Sequence, residues 1–369
     1  MTDKKYIAGE HPDLPPPSNT IGAIAWIREN LLSSPANIIM TILSIWFLYV
    51  TVPPMLDWLF IDAAFTGNNR EECKAQAGGA CWAFIDERLE LFTYGFYPIE
   101  ERWRVNLSFV LLVLALIPVL WDNCPMRKAG MYFSCVFPFI AGWLLLGGFG
   151  LEPVPTDKFG GFMLTLVIGV TGIAFSLPIG ICLALGRQSK LPIIRTFSIG
   201  FIEFIRGVPL ITLLFVASTM LNYFLPQGTT FDLLLRVLIM VTLFASAYMA
   251  EVVRGGLQAI PKGQIEAADA MGLKYWSSMR LVVLPQALKI SIPGIVNTFI
   301  GLYKDTTLVI IIGLLDPLGI GRASLADTKW TGLSNEVYLF VAIFFFVSCF
   351  SMARYSLYLE NKLQTDHKR

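Results

Sequence analysis

Three features of the sequence point to an all-α polytopic membrane protein with about eight transmembrane helices. Hydrophobic residues make up 55% of the 369 and charged residues only 15%, a balance found in integral membrane proteins. Apolar runs long enough to cross a bilayer recur from residue 36 onward. The Lys and Arg of the connecting segments gather in alternate loops.

The first 35 residues are polar, with Pro12 and Pro15-Pro16-Pro17, and read as a tail in which 21–32 forms a short interfacial helix. No apolar run near the start is followed by a small-residue cleavage site, so no signal peptide is expected. Apolar segments then fall at about 36–52, 105–121, 131–149, 161–185, 208–225, 231–252, 281–301 and 336–357. The seventh is the most interrupted, by Lys289, Pro293 and Asn297.

Arg127 and Lys128 follow the second span. Arg187, Lys190, Arg195 and Arg206 follow the fourth, the polar stretch 254–280 follows the sixth, and Lys362, Lys368 and Arg369 follow the eighth. All of these loops fall on one side, which the positive-inside rule makes cytoplasmic, so both termini are expected there. The loop 53–104 then lies outside, and it holds Cys73 and Cys81. In an oxidising compartment a disulfide closing this short loop would contribute about 2–3 kcal/mol; two unpaired thiols are the other reading. Cys124, Cys135, Cys182 and Cys349 have no metal-ligand spacing.

Several functions are excluded by composition. The net charge of +1 and the lack of a basic aromatic patch argue against a nucleic-acid partner. His11 and His367, the only histidines, lie in the polar tails, so neither histidine catalysis nor a histidine metal site is expected within the body. No Gly-Lys dipeptide occurs, so there is no phosphate-binding Walker loop. No cofactor is expected in this chain.

One polar stretch stands apart. Arg254, Lys262, Glu266, Asp269, Lys274 and Arg280 are too many charges for a lipid-exposed span, because each costs a few kcal/mol near the bilayer centre. Yet Ile265, Ala268, Met271 and Tyr275 recur at helical spacing, an apolar stripe expected to enter a partner's groove. Gly272 suits the left-handed turn between two short helices, and Pro285 ends that unit or starts the next span.

Here a resemblance becomes specific. Glu266-Ala267-Ala268, Gly272 after three intervening residues, and Leu284-Pro285 are similar to the "EAA" signature of the membrane subunits of bacterial ATP-binding-cassette (ABC) importers. Phe204-Ile205-Arg206-Gly207-Val208-Pro209-Leu210 upstream and Lys304-Asp305-Thr306-Thr307-Leu308 downstream resemble the polar amino acid permease branch. The long N-terminal part resembles permeases of general L-amino acid and glutamate/aspartate importers. The likeness covers about 158–360. It implies a type I permease core of five helices over 156–369, preceded by a three-helix extension over 36–155. It also implies a coupling loop over 254–280, in which Gln264, Ile265, Glu266, Ala267, Ala268, Met271, Gly272, Tyr275 and Pro285 serve docking on an ATPase. The implied partners are a cytoplasmic ABC ATPase dimer, a second permease subunit, and a periplasmic amino-acid-binding protein that delivers an L-amino acid; the extension favours a heterodimer.

The remaining polar residues carry two readings each. Lys304, Asp305 and Thr306 follow one apolar run and precede another, a pattern of discontinuous helix lining a cavity. Asp305 suits a substrate ammonium, and Lys304 or a helix N-terminus a substrate carboxylate; pairing of Lys304 and Asp305 with other charges to hold the fold is the other reading. Asn222 and Asn297 either line the pathway or bond between helices. Arg206 either anchors the cytoplasmic face or forms a gate pair with Glu203 one turn away. A secondary amino acid transporter or a channel without an ATPase is the alternative class. The former calls for an inverted repeat and the latter for a filter, and neither is visible.

Overall fold

The computed structural model describes residues 22–76, 78–220, 223, 226 and 231–363, so Asn222 and both tail ends lie outside the described residues. Among these residues, seven helices are long and apolar enough to cross a membrane, or eight if one bent pair is a single span. The chain divides into two compact units, one of residues 1–67 and 71–82, the other of 68–70 and 83–369.

In the first unit, α1 (Ala23–Asn30) precedes α2 (Pro35–Leu56), whose N-terminus is capped by Ser34 accepting from the Asn37 N–H at 3.2 Å. The sequence places a loop from residue 53, but α2 runs through Pro53 and Pro54 and continues as a π turn over Asp57–Ile61. Two prolines remove ladder donors, and the wider π turn carries the disturbed ladder onward. A disulfide joins Cys73 to Cys81, and beside it the Ala64 N–H donates to the Ala80 carbonyl while the Ala64 carbonyl accepts from the Trp82 N–H, each at 2.8 Å.

In the second unit α4 (Ala83–Tyr94), α5 (Arg102–Leu120) and α6 (Arg127–Leu146) precede α7 (Gly161–Arg187). Next come α8 (Pro192–Gly207) and α9 (Leu210–Thr219), then α10 (Leu233–Gln258) and two short helices, α11 (Lys262–Ala270) and α12 (Tyr275–Ser278). The chain ends in α13 (Leu284–Asp305), α14 (Pro317–Ser324) and α15 (Ser334–Leu363). The segment α3 (Arg70–Gln76) straddles the boundary between the units.

The helix α10 is the axis: it packs against α7, α13, α8 and α9, and over half of its apolar length is buried. On α7, Gly169, Gly172, Ser176, Gly180 and Ala184 form a buried stripe of small residues at three- and four-residue spacing. An added Cβ at Gly180 would meet Met249 of α10 at 2.7 Å, and one at Gly172 would meet Leu302 of α13 at 2.8 Å. Small residues thus admit two neighbouring helices at once. At the far end Phe162, Phe340 and Phe344 interlock, with Phe162 and Phe344 stacked at 3.9 Å, so the run Phe344-Phe345-Phe346 divides between packing and the exposed Phe346.

Two further spans differ from the sequence reading. The fifth, expected at 208–225, is a pair, α8 and α9, bent by 101°. Val208 is extended (φ −113°, ψ 133°) because the residue before a proline avoids the helical region, and Pro209 then starts α9. The seventh, expected at 281–301 with a break before 308, is continuous over Tyr275–Ile312. It opens as α12, passes a π turn at Met279–Val283 into α13, and tightens to a 3₁₀ helix over Thr306–Ile312. A change of helix type therefore replaces the expected break.

Beyond that 3₁₀ segment Asp316 caps α14, accepting from the Gly319 N–H at 2.9 Å and the Leu318 N–H at 3.3 Å. Burial pushes its pKa up to about 6 despite these bonds. A carboxyl raised in the fold favours the protonated folded state, so the stability it contributes is full below the ordinary pKa of 3.8 and is lost as pH rises through about 6. Thermal unfolding of the purified chain between pH 4 and 7 should show this acid-side gain, and Asp316→Asn, which keeps a capping oxygen, should flatten it.

Gly256 of α10 lies against the Ala287 carbonyl and Ser291 of α13, where an added Cβ would overlap both. Gly256→Val is expected to lower stability by about 1–3 kcal/mol. At the open Gly263 nothing lies within 4 Å of an added Cβ, and Gly263→Ala should instead leave stability equal or slightly higher. Denaturation midpoints of the two variants in the same detergent check the difference.

Candidate functional site

The polar stretch forms a hairpin at one end of the bundle. From the end of α10 the chain turns at Pro261 into α11, reverses at Gly272 and re-enters the bundle through α12. Gly272 has φ 74°, and its N–H donates to the Asp269 carbonyl at 2.9 Å; this left-handed turn is what lets α11 and α12 meet. Pro285 sits in the first turn of α13, where its missing N–H costs nothing.

The apolar stripe expected to enter a partner divides in two. Ala268 is buried and Ile265 packs on the bundle's own cluster with Val253, Met279 and Val283, while Gln286 donates to Gln264 at 3.2 Å. These residues fasten the hairpin. Met271 is 81% exposed, Trp276 71% and Tyr275 51%, and Glu266 and Ala267 are exposed beside them. The free face is thus the tip of the hairpin, because a short helix lying across a bundle end must spend one side on the bundle.

Glu203 and Arg206 do not pair with each other. Arg187 at the end of α7 donates to Glu203 at 2.9 Å and to Glu251 of α10 at 2.6 Å. Arg254 donates twice to the Glu251 carboxylate, at 2.9 and 2.7 Å. Arg206 lies 3.7 Å from the same carboxylate and 5.7 Å from the Tyr248 ring centroid. Glu251, with a side chain only 15% exposed, is therefore the acceptor around which three guanidiniums converge. The sequence holds a signal for it, an acidic residue closing an apolar run, since charge there requires a partner.

Along α13, Asn297 and Lys304 are exposed and lie seven residues apart, with Gly301 open between them. Seven residues are two turns, so the three share a face. Among the described residues Lys304 and Asp305 form no ion pair with each other or with other groups, against the structural pairing considered from sequence. Thr306 is buried, and its hydroxyl donates to the Tyr303 carbonyl at 2.8 Å, so it does not present its hydroxyl to the open face.

Residues 176–365 match the family of binding-protein-dependent transport system inner membrane components. An inner membrane amino-acid ABC transporter permease protein, YhdY of Escherichia coli, is 50% identical over 96% of this chain and 97% of its own. The glutamate/glutamine/aspartate/asparagine transport system permease protein BztC of Rhodobacter capsulatus is 45% identical over the full length of both chains. A crystal structure of an amino acid ABC transporter with histidines is 28% identical and covers 54% of this chain and 91% of its own, at a TM-score of 0.48.

Proposed function

The chain belongs to the family of binding-protein-dependent transport system inner membrane components, and from that premise we propose that it is the permease subunit of an ATP-driven L-amino acid importer. Its substrate class follows the names of its full-length relatives. ATP and Mg²⁺ bind a cytoplasmic ATPase dimer, a periplasmic binding protein delivers the amino acid, and a second, different permease subunit completes the pathway. The basic loops orient both termini to the cytoplasm.

The open face of α13 carries this reading. Asn297, Gly301 and Lys304 form a stripe unsuited to lipid, because an unpaired charge in a span faces water, substrate or another subunit. That stripe lies on the same continuous helical run that begins at the hairpin. Movement of the exposed tip, Met271, Tyr275 and Trp276, is thereby carried along one rod to the pathway. Alternating access is the mechanism this linkage serves: closure of the ATPase pushes the hairpin, and the spans rock about a central site.

Co-purification of an ATPase, and stimulation of its hydrolysis by loaded binding protein, test the coupling role. Glu266→Ala removes a charged contact of about 1.5–3 kcal/mol, on the order of tenfold to a hundredfold in affinity. Gly272→Pro is stronger, since proline cannot adopt φ 74° and lacks the donor. Both variants should insert normally and lose stimulation; parental stimulation in both removes the hairpin from docking.

Asp305 and Lys304 are assigned to the two ends of the zwitterionic substrate. Asp305→Asn keeps the shape and removes the charge, so uptake of acidic, neutral and basic amino acids should fall alike, by on the order of tenfold or more. Uptake of labelled amino acids, normalised to assembled complex, is the measurement. Unchanged uptake places the ammonium site elsewhere.

A further inference from the structure

We infer that Glu251 is a positioning residue of the transport cycle: it ties α7 and α8 to the root of the hairpin, so that these helices follow the hairpin as one body. The inference rests on reading the hairpin as the ATPase-docking element, but its geometry stands apart from that reading. Glu251 lies two turns before the end of α10, where the hairpin begins. Arg254, one turn nearer the hairpin, grips the Glu251 carboxylate and also donates to Gln258, the last residue of α10, at 3.1 Å. On the other side Arg187 carries the link to α7, and through its shared bond to Glu203 it reaches α8. Arg206 supplies a second link to α8. Three helices that are otherwise held by apolar and small-residue packing thus share one charged knot beside the hairpin.

A packed apolar contact between helices permits sliding, whereas charge-assisted bonds to one carboxylate have fixed direction and length. The knot therefore converts displacement of the hairpin into displacement of α7 and α8, and of α9, which continues from α8. Fastening of α11 to α13 through Gln264, Gln286 and Ile265 carries the same push along the other strand of the hairpin. Without Glu251 the push would reach α10 and α13 and leave α7 and α8 behind.

Two measurements test this. Nitroxide labels at Gly200→Cys on α8 and Gly263→Cys on α11 occupy exposed positions where an added Cβ meets nothing. The background is the full chain with Cys124, Cys135, Cys182 and Cys349 replaced by serine. Pulsed dipolar spectroscopy should give a narrow distance distribution in the parent and at least a twofold wider one in Glu251→Gln. Arg187→Gln should widen it as well, and it leaves Glu251 with Arg206 and Arg254, so no buried charge is stranded; equal widths in parent and variants overturn the tie.

In the complex reconstituted with its ATPase and loaded binding protein, Arg187→Gln should raise the ATP hydrolysed per amino acid imported at least tenfold at parental assembly. Glu251→Gln should raise it too, and Glu251→Asp, which keeps the carboxylate, should recover part of the parental ratio. Poorer assembly with an unchanged ratio would mean that the knot only stabilises the fold, and overturns the inference. A parental complex that hydrolyses ATP but imports nothing overturns the importer reading, while the distance distributions still decide the tie.

Discussion

Apolar side chains gain little by leaving lipid tails for one another, so a bundle of spans needs close backbone approach and hydrogen bonding to hold its shape. In this chain that constraint falls on α10. It meets α7 where Gly180 leaves no room for a Cβ, and α13 where Gly256 lies on the Ala287 carbonyl. Ser291 adds a bond from α13 to the Val252 carbonyl at 3.2 Å. The other helices take their positions from this three-helix contact, α8 and α9 by packing on α10 and α15 by packing on α13.

The close packing of the centre displaces charge to the ends. At one end lies the Glu251 knot, and Tyr355 bonds the carbonyls that finish α5. At the other, Arg104 is buried with Glu101 at 2.6 Å, and Arg88 meets Asp327 at 2.5 Å. Exposed Lys304, on the open face of α13 with Asn297, departs from this pattern. An apolar cavity of about 340 Å³, lined by Phe109, Phe139, Met163 and Leu238 among others, lies between α5 and α6 on one side and α7 and α10 on the other. The earlier hairpin of helices thus packs less tightly on α7 and α10 than those two pack on each other.

The structure departs from the sequence reading at three polar groups. Glu203 and Arg206 are one turn apart, and proximity in sequence suggested a pair. Arg187, 16 residues from Glu203, and Glu251, 64 residues from Arg187, take those roles because three helix ends converge there. The stripe Ile265, Ala268, Met271 and Tyr275 has helical spacing, but α11 ends at Ala270, so Ile265 and Ala268 pack on the bundle while Met271 and Tyr275, past the end of the helix, are exposed. Likewise the polar residues 304–307 suggested a break, whereas the Thr306 and Thr307 hydroxyls bond to carbonyls one turn back and the helix tightens instead.

That the chain is helical and membrane-spanning, about where most spans lie, and that 254–280 carries too many charges for a lipid-exposed span were all legible in the sequence. These follow from local quantities: the length of an apolar run, the cost of a charge in lipid, and the conformations open to glycine and proline. The 101° bend between α8 and α9, the unbroken run of the seventh span from the hairpin and the gathering of three arginines at Glu251 emerge only in the folded chain. Those depend on which helix ends meet, and in a bundle that is set by the fit of small residues across α7, α10 and α13, a relation between distant positions that periodicity along one strand of sequence does not contain.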